Sequence, residues 1–562
     1  MTNTKKPLIY QVLPRLYGNR CTTNLHDGTL KQNGVGKMND FTDAALKRIA
    51  SFGFTHIWYT GLLEHATQTD YSAFGITPDH PAVVKGRAGS PYAIKDYYDI
   101  DPDLAVDVEK RMKEFSALVR RTHKAGLKMV IDFVPNHVAR QYHSDAAPRG
   151  VRDLGADDDT NKSFSPDNNF YYIQGQPLHT DFDLARRAPS PYREYPAKAT
   201  GNDHFDAYPS VNDWYETVKL NYGIDYCGGR ATHFSPIPST WKKMTAILLF
   251  WCKKGIDAFR CDMAEMVPAE FWSYATKEVK KNYPQVQFIA EVYNPGEYRN
   301  YIRAGFDYLY DKVGLYDTLR AVVCGQASAS CITGCWQSVD DIKEHMLNFL
   351  ENHDEQRIAS AFFAGDARKA LPALVVSAMM GTNPFMLYAG EELGEPGMDA
   401  EGFSGRDGRT TIFDYWGVPS LQKLSAPDGE RAFTEEEHRL YDFHRKVIQL
   451  CHTNEAIRQG SFYDLQYANY GREYGYNCDR QYAFFRQAKS GETLLVVVNF
   501  DAQSVHTGVQ IPDHAFDYLQ LRPSMVSAPE LLSGNMQTLE LKKGTPVYVE
   551  VPGYGAVVLR IK

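Results

Sequence analysis

The sequence predicts an α/β protein: a (β/α)8 barrel, interrupted by an inserted domain after its third strand and followed by an all-β domain. Three observations carry this. Eight short apolar runs alternate with helical segments between residues 9 and 392. The rhythm lapses once, between residues 137 and 256, a span far longer than one strand–helix unit. After about residue 455 the texture changes to short β-patterned runs. Apolar runs of this kind are buried on both faces, which calls for a parallel sheet, and eight repeats favour closing it into a barrel.

Residues 9–13 are the first strand. Residues 41–52 form a helix stopped by Gly53, and "FTHIWYTGL" is the second strand. Asp107 caps the next helix, in which Met112, Phe115, Leu118 and Val119 share one face until Gly126 ends it. "LKMVIDFVPNH" is the third strand. Residues 138–218 are rich in Asp, Asn, Pro, Tyr and Ser and carry no helical period, which makes them the inserted domain. The barrel rhythm resumes with a helix over 241–254, a strand over 256–262, a helix over 271–281 and a strand over 286–293. "GFDYLYDKV", "MLNFLENHD" and "PFMLYAGEE" supply the last three strands. Thr434 with Glu437 three residues on is a capping box that opens the barrel's final helix. "YAFFRQ", "TLLVVVNF" and "PVYVEVPGYGAVVLRI" are strands of the C-terminal domain. The expected boundaries are therefore 1–137 and 219–454 for the barrel, 138–218 for the insertion and 455–562 for the β domain.

Composition narrows the function. A chain of 562 residues exceeds one core. A formal charge of −8 argues against nucleic acid or an anionic membrane as the main partner. The apolar segment 370–388 is broken by Pro372, Gly381, Asn383 and Pro384, so it reads as a buried helix and a strand rather than a membrane span. Nine scattered cysteines, an odd number, read as mostly reduced thiols. The spacing of Cys324, Cys331 and Cys335 matches no common zinc pattern. The N-terminal stretch has no long apolar run of the secretory kind, so the expected location is cytoplasmic. No glycine-rich phosphate loop follows a strand, which argues against a nucleotide cofactor. The 36 tyrosines offer flat faces with hydroxyls, a chemistry suited to sugar rings, although packing accounts for most of them.

In barrels of this type the active site lies at the C-terminal ends of the strands. The third strand carries Asp132, Asn136 and His137, the fourth Arg260 and Asp262, the fifth Glu291, and the seventh Asn352, His353 and Asp354. Arg260 and Asp262 lie two residues apart and share a strand face. Burying two charges is costly unless they are paired. A guanidinium beside a carboxylate favours its ionised form, which a nucleophilic carboxylate needs, and the expectation is a lowered pKa at Asp262.

"DFVPNH", "GIDAFRCDMAEMV", "FIAEVY" and "FLENHD", in that order on the expected strands, resemble the four signature segments of glycoside hydrolase family 13, the alpha-amylase family. "IYQVLPRLY", "PYAIKDYYDID" and "PFMLYAGEELG" match supporting segments, so the resemblance covers nearly the whole chain. It implies the barrel with an inserted domain B after strand 3 and a C-terminal β-sandwich, domain C. It further implies a retaining mechanism on α-1,4-linked glucosides such as starch fragments or maltooligosaccharides. Asp262 matches the nucleophile that forms a covalent glycosyl-aspartate. Glu291 matches the general acid/base, and Asp354 the third carboxylate, which holds sugar hydroxyls. His137 and His353 match histidines that contact hydroxyls at the cleavage point, Arg260 the arginine beside the nucleophile, and Tyr92 the stacking aromatic under that sugar. Asp132 has the simpler reading of holding the barrel end together.

The resemblance implies no cofactor for the chemistry. It brings a structural calcium between barrel and insertion, with Asn136 as a ligand and Asn221, in "KLNYG", offering an amide oxygen. The alternative is that Asn136 only bonds the loop backbone. One departure stands out: where endo-acting members often carry a Lys-His pair after the nucleophile, this chain has Met263, Ala264, Glu265 and Met266. Short oligosaccharides or transfer to a second sugar, by a glucanotransferase or an enzyme of sucrose or trehalose, therefore stay open, as does a non-catalytic glycan-binding protein. The oligomeric state is not readable.

Overall fold

Alternation of side chains along a strand decides how this barrel is filled. The computed structural model describes residues 6–180, 188, 190–397 and 405–562. Eight parallel strands close on themselves: β1 (Leu8–Val12), β2 (His56–Tyr59), β3 (Lys128–Phe133), β4 (Ala258–Cys261), β5 (Gln287–Ala290), β6 (Tyr308–Tyr310), β7 (Met346–Phe349) and β8 (Phe385–Tyr388). β1 pairs with both β2 and β8, so no edge remains. Each predicted apolar run supplies one strand, and all but the first strand are shorter than their runs. The ladder of β4 ends at Cys261, for example, which leaves Asp262 just beyond the last rung.

Ile9, Trp58, Val130, Ala258, Ile289 and Met386 point inward and form an apolar floor. Two residues further along, the same inward face turns polar, with Gln11 above Ile9, Asp132 above Val130, Arg260 above Ala258 and Glu291 above Ile289. One period-2 pattern thus builds both the plug and the reactive layer. The outward residues of the strands pack on the surrounding helices in the main core.

Helix α1 (Asp43–Phe52) is capped by Thr42, whose hydroxyl accepts from Ala45 N, and stopped at Gly53, whose φ of 119° is reached at little cost without a side chain. Asp107 caps a single 3-10 turn, Val108–Lys110, that leads into α2 (Arg111–Lys124). α3 (Ser239–Lys253), α4 (Ala269–Asn282) and α5 (Leu371–Met379) follow, and α6 (Glu435–Thr453) opens with the Thr434–Glu437 capping box. Two excursions leave the strand ends. After β2, Leu63–His65 pairs antiparallel with Ile94–Ile100. After β3, His137–Ala139 pairs with Thr217–Lys219, which brings the two ends of the long insertion together.

The C-terminal domain is all-β. β9 (Ser461–Asp464), β10 (Gln481–Gln487), β11 (Thr493–Asn499) and β12 (Gly555–Arg560) form one antiparallel sheet, accompanied by two further strand pairs. Its central strands serve two cores at once. Phe485, Leu495 and Val497 pack within the domain, while Phe484, Val496 and Val498 join the core shared with the barrel. Arg486 is buried in this interface and donates to the carbonyls of Met380 (2.7 Å), Ala456 (3.2 Å), Ile457 (3.1 Å) and Gly460 (2.7 Å). Burial lowers its pKa to about 10.

Arg486→Met keeps an unbranched apolar stem without the guanidinium and leaves those carbonyls without their donor, an expected loss of roughly 2–4 kcal/mol. The melting temperature should fall by several degrees with the circular dichroism spectrum preserved. An unchanged melting temperature would show that apolar contact alone fastens the two domains.

Candidate active site

Arg260 lies at the centre of the barrel mouth with no exposed surface. Its Nη1 is 2.7 Å from Asp262 Oδ1 and its Nη2 is 2.8 Å from Glu291 Oε2. Asp132 Oδ1 lies 3.7 Å from Nη1 and Asp354 Oδ2 lies 4.0 Å from Nη2. Nε donates to the Tyr310 hydroxyl at 3.2 Å. Trp58, Tyr92 and Tyr310 surround the guanidinium, with ring centroids 5.3, 5.3 and 5.6 Å away. The structure therefore brings four carboxylates from β3, β4, β5 and β7 around one cation. A buried guanidinium is tolerable only with such pairing.

Asp262 is 6% exposed. Burial pushes its carboxyl well above the usual carboxylate range, with Arg260 opposing and Glu291 and Asp354 adding to the rise. This corrects the sequence-based expectation of a lowered pKa. The strand pattern reveals the arginine two residues away, but not the desolvation or the two carboxylates arriving from other strands. Asp262 and Glu291 thus share one guanidinium, one on each terminal nitrogen. Glu291 accepts from Met263 N at 2.8 Å on Oε2 and from the Tyr293 hydroxyl at 2.5 Å on Oε1.

Asp354 sits nearer solvent, its side chain 40% exposed. Against the desolvation that would raise it, His353 and then Arg260 and Arg409 hold it down to about 2. His353 Nε2 is 3.0 Å from Asp354 Oδ2 and 2.5 Å from the Tyr92 hydroxyl, and Gln11 Nε2 lies 2.8 Å from its Nδ1. The Tyr92 and His353 rings stack at 5.1 Å. His137 is buried beneath Trp214, ring to ring 5.2 Å, and burial with Lys219 nearby lowers its pKa to about 3. Asp132 accepts from Trp58 Nε1 (3.2 Å) and Gly61 N (3.1 Å), which ties β3 to β2 at the mouth.

The two asparagines expected at a calcium are occupied otherwise. Lys219 Nζ is 2.5 Å from Asn136 Oδ1 and 2.6 Å from Asp203 Oδ1, and Asn136 Nδ2 donates to Gly201 O at 2.7 Å. An ammonium thus stands against the amide oxygen that a metal would need. Asn221 Oδ1 accepts from Gly223 N at 2.8 Å within its own turn, and its amide nitrogen bonds the carbonyls of Ser165 and Asn168. The residues present here do not fit a calcium ion.

Sequence reasoning passed over several participants. Tyr293 lies two residues after Glu291 on the same face, so the spacing argument applied to Arg260 and Asp262 would have found it. Met263 takes a left-handed φ of 42°, which aims its N–H at Glu291. Gln11, Tyr310, Trp214 and Lys219 carry no local signal, because closure of the barrel and pairing of the insertion place them.

Comparison with known proteins places the chain in a family. Residues 16–301 match the family model described as alpha amylase, catalytic domain. Alpha-amylase 3 of Dictyoglomus thermophilum is 21% identical over 504 residues, 85% of this chain and 87% of its own length. A cyclomaltodextrinase of a Bacillus species is 22% identical over 511 residues, 88% of this chain and 73% of its own. The crystal structure of alpha-amylase from H. orenii superposes with a TM-score of 0.64 at 18% identity, covering 100% of both chains, a likeness of fold. Among the described residues no helix is long and apolar enough to cross a membrane.

Lys219→Ala should strip Asn136 Oδ1 and Asp203 of their shared partner and cost roughly 1–3 kcal/mol. The melting temperature of the variant measures this, and a value equal to that of the unaltered protein would show that the ammonium is not the pin of this junction.

Proposed function

The chain belongs to glycoside hydrolase family 13, the alpha-amylase family, and from that premise we propose that it cleaves α-1,4-glucosidic bonds of maltooligosaccharides or starch fragments with retention, through a covalent glycosyl-aspartate. The observation that carries this reading is the Arg260 fork, with Asp262 on one terminal nitrogen and Glu291 on the other. Two carboxyls sharing one guanidinium fit the short spacing of a retaining pair, ~5–5.5 Å, rather than the ~6.5–9.5 Å that leaves room for water in an inverting pair.

In this mechanism Arg260 holds Asp262 Oδ1 and leaves Oδ2 to attack the anomeric carbon. The proton of the pair resides on Glu291, which gives it to the departing glycosidic oxygen. Glu291 then takes a proton from water as that water attacks the glycosyl-aspartate. Tyr293 and Met263 N hold the Glu291 carboxyl in place while its charge changes. Asp354, ionised throughout the neutral range, accepts sugar hydroxyls at the open side of the site. Tyr92 stacks under the sugar, with His353 beside it. His137, kept neutral, offers a hydrogen bond without a charge. Trp214 at the rim supplies a second aromatic face.

Asp262→Asn should lower turnover of maltoheptaose at least roughly a thousandfold while sugar binding survives. A time course resolving products by length checks this and reads the reaction type. Shorter products alone support hydrolysis, whereas products longer than the substrate move the assignment to a glucanotransferase. Near-normal turnover by the variant removes Asp262 as nucleophile. Absence of turnover by the unaltered protein on maltoheptaose and starch points to small glucosides such as sucrose or trehalose.

A pH profile tests the electrostatics. The acid limb of kcat/KM reports ionisation of the nucleophile in the free enzyme. Asp354 is one of the like charges that raise Asp262. In Asp354→Asn that charge is gone, the Asp262 pKa falls, and the residual activity should persist to lower pH. A limb that stays put or moves upward contradicts this coupling.

A further inference from the structure

We propose that Glu64, Asp96 and Asp99 form a binding site for a hard divalent cation, calcium, in the excursion that follows β2. Glu64 lies on Leu63–His65 and Asp96 and Asp99 on Ile94–Ile100, with Glu64 and Asp96 directly opposite across the antiparallel pair. One ligand oxygen from each carboxylate falls within 4.8 Å of the others, and all three residues are buried.

The hydrogen bonding separates Glu64 from its neighbours. Asp96 Oδ1 accepts from Tyr98 N and Ser144 Oγ, both at 2.7 Å, and its Oδ2 from Ala146 N at 3.0 Å. Asp99 Oδ1 accepts from Ile100 N at 2.8 Å, and its Oδ2 from Arg111 Nε at 2.9 Å and Nη2 at 2.5 Å. Glu64 is 1% exposed, yet neither of its oxygens has a hydrogen-bond partner. A buried carboxylate left so is costly, and a cation between the three groups satisfies it.

Charge and ligand chemistry set the class of ion. Three carboxylates face one arginine, Arg111, while the adjacent Lys95 is engaged by Asp79 at 3.2 Å. The deficit is two positive charges. The donors are all oxygens, without histidine or cysteine, which selects calcium or magnesium over zinc. The irregular set of already hydrogen-bonded carboxylates suits the flexible coordination of calcium better than the strict octahedron of magnesium. The site joins three parts of the molecule: the strand that leads from Tyr92, the insertion at Ser144 and Ala146, and α2 at Arg111. The other way to settle the cluster is a proton on Glu64, whose carboxyl is pushed up to about 9 by burial and then by Asp96 and Asp99.

The experiment is a calcium titration of the full chain after chelator treatment, by calorimetry and by thermal melting, with magnesium as a parallel arm. One calcium per chain should bind, and the melting temperature should rise by several degrees, less with magnesium. Glu64→Gln should abolish the rise. Glu64→Asp, which keeps the charge and shortens the reach, should weaken binding at least roughly tenfold. The proposal is overturned if the unaltered protein binds no calcium and melts identically with and without it, which assigns the cluster to a shared proton. It is equally overturned if the Glu64 variants respond as the unaltered protein does, which places the ion elsewhere.

Discussion

The mouth of this barrel is organised by one buried cation. Without Arg260, the carboxylates of Asp262, Glu291 and Asp132 would converge from three strands with no cation between them in a desolvated pocket, and Asp354 beside them would lose one of its positive partners. With it, each has a fixed position relative to a planar fork, and the fork is fixed in turn by Tyr310 and by the rings of Trp58 and Tyr92. The aromatic collar excludes water and strengthens the same attractions that hold the acids. An arginine is required here because lysine offers a single point of charge, whereas the guanidinium sets one terminal nitrogen within 2.7 Å of Asp262 and the other within 2.8 Å of Glu291.

Beneath that layer the architecture was legible because it is periodic. Eight apolar runs gave eight strands, and the step of two residues that buries Ala258 also aims Arg260 at the mouth. The C-terminal strands were equally plain, since Phe484 and Phe485 alternate between two cores. The features that stayed hidden depend on chain segments far apart in sequence. Lys219 reaches Asn136 only because residues 137–139 pair with 217–219 across the whole insertion. The raised pKa of Asp262 is of the same kind. Its arginine is local, whereas the burial and the opposing acids come from closure of the sheet. Glu64 and Asp96 likewise meet through a strand pair with no motif to announce it.

The segment after Asp262 shows how a departure from a familiar pattern acquires a physical meaning. Met263 occupies a left-handed backbone conformation, uncommon for a residue with a side chain. That conformation turns its amide toward Glu291. Glu265, two residues on, accepts from Asn294 N at 3.0 Å and so binds this segment to the one carrying Tyr293. The stretch from Met263 to Met266 therefore serves Glu291 through its backbone, which leaves its side chains free to vary.

The lysine at the root of the insertion also acts on a neighbouring side chain. Lys219 lies opposite His137 in the ladder, contacts Asn136, pairs with Asp203 and rests over the ring of Tyr226 at 5.5 Å. A mobile ion at this junction would come and go with its concentration, whereas a covalently tethered charge is always present. Its field, added to burial, keeps His137 neutral down to about pH 3. A neutral imidazole keeps one nitrogen as a donor and one as an acceptor, so it hydrogen-bonds without adding a charge to the mouth of the barrel. The residue that seats the insertion also helps to fix the protonation state of His137, and the two roles cannot be varied independently.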